Sequence, residues 1–177
     1  TCYSFTNPVT PDNFRWLLLR RTAIEHRLLS SLATVADGRD INIIAEATKL
    51  AVLIWIGMVL VNRNKQLLSH QAHTLRNWLG PLEVGPAQLE SEHTELLLWI
   101  SSTAALATIT EDDKTWFADL TSRMAEKLEI ETLEDMEEQL HGLLYVPEMQ
   151  REDLGAFMGQ FGRDGKGKGK GLAIGDG

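Results

Sequence analysis

Two stretches of this chain are apolar on nearly every side of a helix. One opens at Glu46 and runs through Leu50, Ile54 and Trp55 to Val61; the other opens at Glu95 and runs through Leu98, Trp99 and Ala105 to Thr108. A helix without a polar face cannot lie at a surface, so other elements must cover both stretches. The pattern therefore predicts an all-α fold of six to seven helices packed around two central apolar helices. Nowhere do apolar and polar residues alternate between turn signals, so no sheet is expected.

The remaining helices read as amphipathic. The first has Thr10 as N-cap, Pro11 in the first helical position, and Val9 and Phe14 placed for a hydrophobic staple. Leu17, Ile24, Leu28 and Leu32 form its predicted buried stripe, leaving Arg20, Arg21 and Arg27 in water, and Asp37-Gly38 ends it near Val35. The second helix is expected over about 40–62. The third runs from Gln66 to Leu79 with Leu67, Leu68, Leu75 and Leu79 as its apolar face, and a loop follows from Gly80-Pro81 through Gly85-Pro86. Ser91 caps the fourth. Thr110 caps the fifth, with Glu111, Asp112 and Asp113 in its first turn and Phe117, Leu120, Met124 and Leu128 along one side.

Thr132 and Asp135 have the spacing of a capping box opening a sixth helix. Leu133, Met136, Leu140, Leu143 and Leu144 are placed inward there, and Glu134, Asp135, Glu137 and Glu138 toward water. Pro147 ends that helix, and a short amphipathic segment follows from Glu148 to Met158. After Gly159 the composition has too little apolar content to pack. Residues 160–177 therefore read as a disordered Gly/Lys-rich tail on a helical domain of residues 1–159.

Composition narrows the function classes. The chain of 177 residues is long enough for one domain with a real core, and its 44% hydrophobic and 24% charged content is ordinary for a soluble globular protein. Its longest uncharged apolar run, Leu50 to Val61, is well short of the roughly 20 residues of a membrane span. No secretory leader is visible from Thr1 to Pro11, so the chain is not expected to be secreted. A single cysteine, Cys2, excludes an internal disulfide and a zinc site of several thiolates. Residues 1–88 carry nine Lys/Arg against six Asp/Glu, and residues 89–177 carry eight against nineteen. A net charge of −8 repels phosphate backbones, so direct nucleic-acid binding is not expected.

Candidate chemistry is thin. Gly162 to Lys168 matches the start of a phosphate-binding loop, but Gly169 stands where Ser or Thr should hold magnesium. Glu111-Asp112-Asp113 invites comparison with magnesium-diphosphate sites of all-helical enzymes; consecutive acids, however, point in different directions from a helix. His70 and His73 lie three apart without a third ligand beside them. No catalytic residue, cofactor or metal site is therefore assigned. Trp55, Trp99 and Trp116 remain as candidate walls of a cavity for a small apolar ligand, against the alternative that they are simply core.

Glu46-Ala-Thr-Lys-Leu-Ala-Val-Leu-Ile-Trp55 resembles the helix of fungal-specific transcription factor domains that reads roughly Glu-Ala-Cys-Arg-Leu-Ala-Ala-Leu-Ile-Tyr. Leu96-Leu-Leu-Trp99, followed by Ala104, Ala105 and Ala107, is similar to that family's next segment. Trp116-Phe117 through Leu128-Glu-Ile130 stands where the family has Trp-Phe and a helix ending near Leu-Gly-Ile. Leu133-Glu-Asp135 and Leu143-Leu-Tyr145 occupy the places of its final helix. The match spans about residues 14–150 in order and spacing. It implies a helical, non-catalytic regulatory domain in a nuclear setting, in contact with other proteins (a second copy or the transcription machinery) or with a small apolar ligand. In that family DNA is bound by a separate cluster of six cysteines. No such cluster occurs in these residues, and the cysteine of the first segment is Thr48 here. A helical-bundle enzyme acting on a hydrophobic or diphosphate substrate, and a structural adaptor, are the competing readings; away from the nucleus, the cytoplasm is the expected location.

Overall fold

A computed structural model describes residues 11–31, 42–59, 64–80 and 92–164, without side-chain detail at 11–18, 31 and 160–164. Seven helices and no strand occur among them: α1 Pro11–Ser31, α2 Ile43–Val59, α3 Lys65–Leu79, α4 Thr94–Ala107, α5 Glu111–Lys127, α6 Leu133–His141 and α7 Pro147–Asp164. They fall into two compact units, Thr1–Ile41 with α1 and Asn42–Gly177 with α2 to α7. The Thr10 cap, the Val9–Phe14 staple, the Asp37-Gly38 turn, the Gly85-Pro86 loop and the Ser91 cap lie outside the described residues and side chains.

In the first unit, α1 opens at Pro11 as expected. Of its predicted stripe Leu28 is half-buried as read, Ile24 is 48% exposed, and Leu17 and Leu32 lie outside the described side chains; Arg21, expected in water, is half-buried, as is Glu25. Arg21 Nε lies 3.5 Å from Glu25 Oε1 one turn away. The reason is in the sequence: Leu17-Leu18-Leu19 and Leu28-Leu29 put apolar residues on more than one face, so spacing alone does not single out a stripe.

In the second unit, α4 is the hub, packed against α2, α3, α5, α6 and α7, while α2 packs against α3 and α4. Every residue of α4 from Leu97 to Ala105 is buried. Both of its serines are satisfied locally. Ser101 Oγ donates to Leu98 O at 3.2 Å and Ser102 Oγ to Trp99 O at 3.1 Å. Thr121 of α5 donates to Ser101 Oγ at 2.8 Å, so the polar contact between α4 and α5 is hydrogen-bonded. Leu53, Ile54, Leu75, Leu98, Ile100, Phe117 and Met136 fill the surrounding core. Each such side chain contributes on the order of 1.5–3 kcal/mol on burial.

The ends of the helices follow local chemistry. Asn42 caps α2 through Oδ1 to Ala45 N at 3.1 Å, and Asn64 caps α3 through Oδ1 to Gln66 N at 2.9 Å. Thr132 and Asp135 form the capping box of α6, with Asp135 N to Thr132 Oγ1 at 3.1 Å and Thr132 N to Asp135 Oδ2 at 2.9 Å. The C-terminus of α5 closes with Ile130 N on Ala125 O at 2.9 Å and Glu129 N on Glu126 O at 3.2 Å. That is the Schellman pattern, and it places Glu129 at φ 56°, a left-handed conformation.

Two predicted faces shift. On α3 the buried apolar positions are Leu68, Ala72, Leu75 and Leu79, with Ser69 buried beside them, and Leu67 is 47% exposed. Spacings of four, three and four make the better stripe, with Ala72 supplying the small member. α6 ends at His141, so Leu143 and Leu144 lie in the following turn, where helical periodicity no longer applies, and both are exposed. Glu137 is not simply solvated. It accepts a 2.7 Å hydrogen bond from Tyr145 Oη and lies 3.3 Å from Arg151 Nη1. Pro147, expected as a stop, also serves as the first residue of α7. α7 then continues to Asp164, five residues past the composition break at Gly159, because a formed helix adds a hydrogen bond for each residue fixed. Residues 165–177 lie outside the described residues.

Candidate functional site

The densest polar arrangement among the described residues joins α3 to the first turn of α5. On α3, Ser69, His73 and Arg76 recur at helical spacing beside the stripe of Leu68, Ala72 and Leu75, so they flank the packed seam. On the other side, the chain leaves α4 at Thr108 and enters α5 through Thr110, Asp112 and Asp113. Ile109 N donates to Ser69 Oγ at 3.2 Å, and Ser69 Oγ lies 3.3 Å from Thr108 Oγ1. Those bonds fix the linker against α3.

Asp113 is the centre of the cluster and is only 3% exposed. Arg76 Nη1 donates to its Oδ1 at 2.8 Å, Thr110 Oγ1 donates to its Oδ2 at 2.8 Å, and His73 Nδ1 lies 3.2 Å from both oxygens. Arg76 also donates to exposed Asp112, and its guanidinium sits 5.8 Å from the centre of the Trp116 ring. Burial of Asp113 works against its ionisation. The hydrogen bonds from Arg76, Thr110 and His73 outweigh burial and hold the carboxyl below the usual value of 3.8. Arg76 moves the opposite way, raised above its ordinary value chiefly by its hydrogen bonds to Asp113 and Asp112.

A buried carboxylate fixing one nitrogen of a half-exposed histidine is the support that a general base requires. The remaining parts of such a device are otherwise engaged. Ser69 is tied to Thr108 and Ile109, and Thr110 donates its proton to Asp113. Arg76 neutralises the same carboxylate. The arrangement therefore does the work of a clasp between α3 and α5.

The other sequence candidates separate. Glu111 pairs with Lys114 of its own helix at 2.8 Å, while Asp112 and Asp113 share Arg76 of α3, so the three acids are already divided between two cations. His70 is exposed, and no group of three or more His, Cys, Asp or Glu side chains able to hold a metal ion occurs among the described residues. Gly162 to Asp164, the opening of the phosphate-loop match, are helical as the end of α7.

The three tryptophans do three different things. Trp99 is 3% exposed and donates from Nε1 to Leu144 O at 2.9 Å, tying the turn after α6 to the hub. The cavity beside it holds only about 10 Å3, room for a single water at most and for no organic ligand. Trp116 meets Phe117 edge to face at 4.9 Å and lies under Arg76. Trp55 is half-buried on α2, with its indole N–H buried and without a hydrogen-bond partner among the described residues.

Sequence reading weighed His73 and Asp113 separately and missed that they meet. They are forty residues apart, and only the crossing of α3 and α5 over α4 joins them. The available signal was the polar line Ser69, His73, Arg76 running beside an apolar stripe on one helix.

No described helix is long and apolar enough to cross a membrane. No protein-family model matches the chain, and no curated protein or solved structure does either.

Proposed function

We propose that this chain is a non-catalytic regulatory domain of the fungal transcription factor type, acting in the nucleus by contact with other proteins. One observation carries the reading. The family's Leu-Gly-Ile segment corresponds to Leu128-Glu-Ile130, and the middle residue, Glu129, holds φ 56° at a Schellman helix end. Glycine is the residue that conformation favours, so the position of the family's glycine coincides with a backbone requirement here. The order of elements supports it further. The four resembling segments fall on α2, on α4, on α5 with its C-terminal cap, and on α6 with the turn that follows. The clasp at Asp113 consumes the side chains a catalytic reading would use, which favours a role without chemistry.

The test is tethering. Fused to an unrelated DNA-binding domain at a reporter promoter, the chain is expected to shift transcription from the level given by that domain alone. An unchanged reporter, with the fusion present in the nucleus at an equal level, would sink the reading.

A further inference from the structure

Eight large apolar side chains are exposed among the described residues, and six of them gather in two places: Leu19, Ile24 and Leu29 on α1, and Leu143, Leu144 and Met149 where α6 gives way to α7. Single exposed leucines need no explanation, but two concentrations of them do. On α1, Leu19, Arg20, Ala23, Ile24 and Arg27 are all exposed and recur at helical spacing, so they share one side of the helix. Leu19 is 63% exposed there, and the side carries cations and no carboxylate. On α7, Glu148, Met149, Glu152, Asp153 and Ala156 are all exposed and share one side in the same way. This side carries carboxylates and no cation, because Arg151 is turned instead to Glu134 and Glu137 of α6. Leu144 widens its apolar part, since Leu144 and Met149 both border Leu106 and Gln150.

Each face thus joins apolar side chains to charges of one sign, and the two signs are opposite. We propose that the α1 face of one copy packs against the α7 face of a second copy, so that the chain associates with itself. Leu19 and Ile24 lie against Leu144, Met149 and Ala156, and Arg27 meets the carboxylates of Glu148, Glu152 and Asp153. Pairing α1 with α1 would set arginine against arginine, and pairing α7 with α7 would set carboxylate against carboxylate, so neither helix is its own partner. Every copy carries both faces. Two copies therefore exchange the contact reciprocally and close as a two-fold dimer. The contact stands whether or not the chain regulates transcription.

Sedimentation of the full chain tests this. The mass is expected to rise from that of one copy toward that of two as concentration increases through about 10–100 μM. Raising salt from about 0.05 M to 0.5 M should weaken the association at least about fivefold. Arg27→Glu and Glu152→Arg should each weaken it at least about tenfold, with helix content by circular dichroism unchanged. Mixed in equal amounts, the two variants should associate within about twofold of the unmodified chain, because each contact of the mixed pair again joins opposite charges. Only a contact between copies gives that rescue. A monomer at every concentration up to about 0.5 mM overturns the proposal and leaves both faces to another protein. Association that neither salt nor either reversal alters also overturns it, as does a mixture no tighter than its components. Should a variant lose helix, the concentration and salt series on the unmodified chain decides alone.

Discussion

Glu129 carries a β-carbon in a left-handed conformation, where crowding against the backbone costs on the order of 1 kcal/mol. Glu129→Gly removes that strain and adds some unfolded-chain entropy, so a net gain of about 0.5 kcal/mol is expected, read as a higher urea midpoint. Asp113 behaves in the opposite sense, since its partners reward the ionised form. Asp113→Asn should cost about 2–3 kcal/mol. The low end applies because Arg76 keeps Asp112 and part of its surface in water. The sign of the pH dependence follows from a folded-state pKa below the usual 3.8. The contribution is complete above that value and is lost as pH falls through the folded pKa. The gap in urea midpoint between wild type and Asp113→Asn should thus be constant above about pH 4 and narrow below it. Tyr145 supplies the alkaline counterpart. Burial and the hydrogen bond to Glu137 raise its pKa above the usual 10.0, so its contribution is present below that value and fades as pH climbs toward the folded pKa.

At the scale of the element, one cap, that of α6, was fully legible, and faces were the least legible. Thr110 stands at the N-cap position of α5 as read, but its hydroxyl donates to Asp113 and makes no cap bond to the backbone. The Thr132–Asp135 box is a matter of two side chains and three residues of backbone, and the structure forms it as read. Thr132→Ala should cost about 1 kcal/mol and fray α6, visible as faster exchange of the amides at its first turn. Faces depend on neighbours that the local sequence does not specify. On α3, Leu67 and Leu68 are equally apolar, and only the positions of α2 and α4 against that helix decide that Leu68 goes in and Leu67 stays out. After α6 the same apolar pair, Leu143-Leu144, loses its inward direction once the helix stops at His141. On α1, leucine doublets erase the distinction between one stripe and the next.

At the scale of the whole molecule, the all-helical class and the central place of the Leu96 to Ala107 helix could be read directly, because a helix without a polar face leaves no alternative. The α3–α5 clasp could not. It is made where helices from distant parts of the chain meet, and crossing geometry is set by packing rather than by any single segment. The hub makes a further expectation: backbone amides of α4 should exchange more slowly than those of α2 or α6 in native-state hydrogen exchange, since its opening requires five helices to separate.

The second half of that hub, Ser101 to Ala105 with Ala107, is built from the smallest side chains, every one of them buried. Small residues let neighbouring backbones come close, and a space already closed has no room for an added methylene. Over evolutionary time the acidic outer surface of this domain is thus expected to drift more freely than this short tract. Descendants of the chain would be recognised less by any shared charge or motif than by a run of serines and alanines beginning just after a leucine-rich turn and a tryptophan.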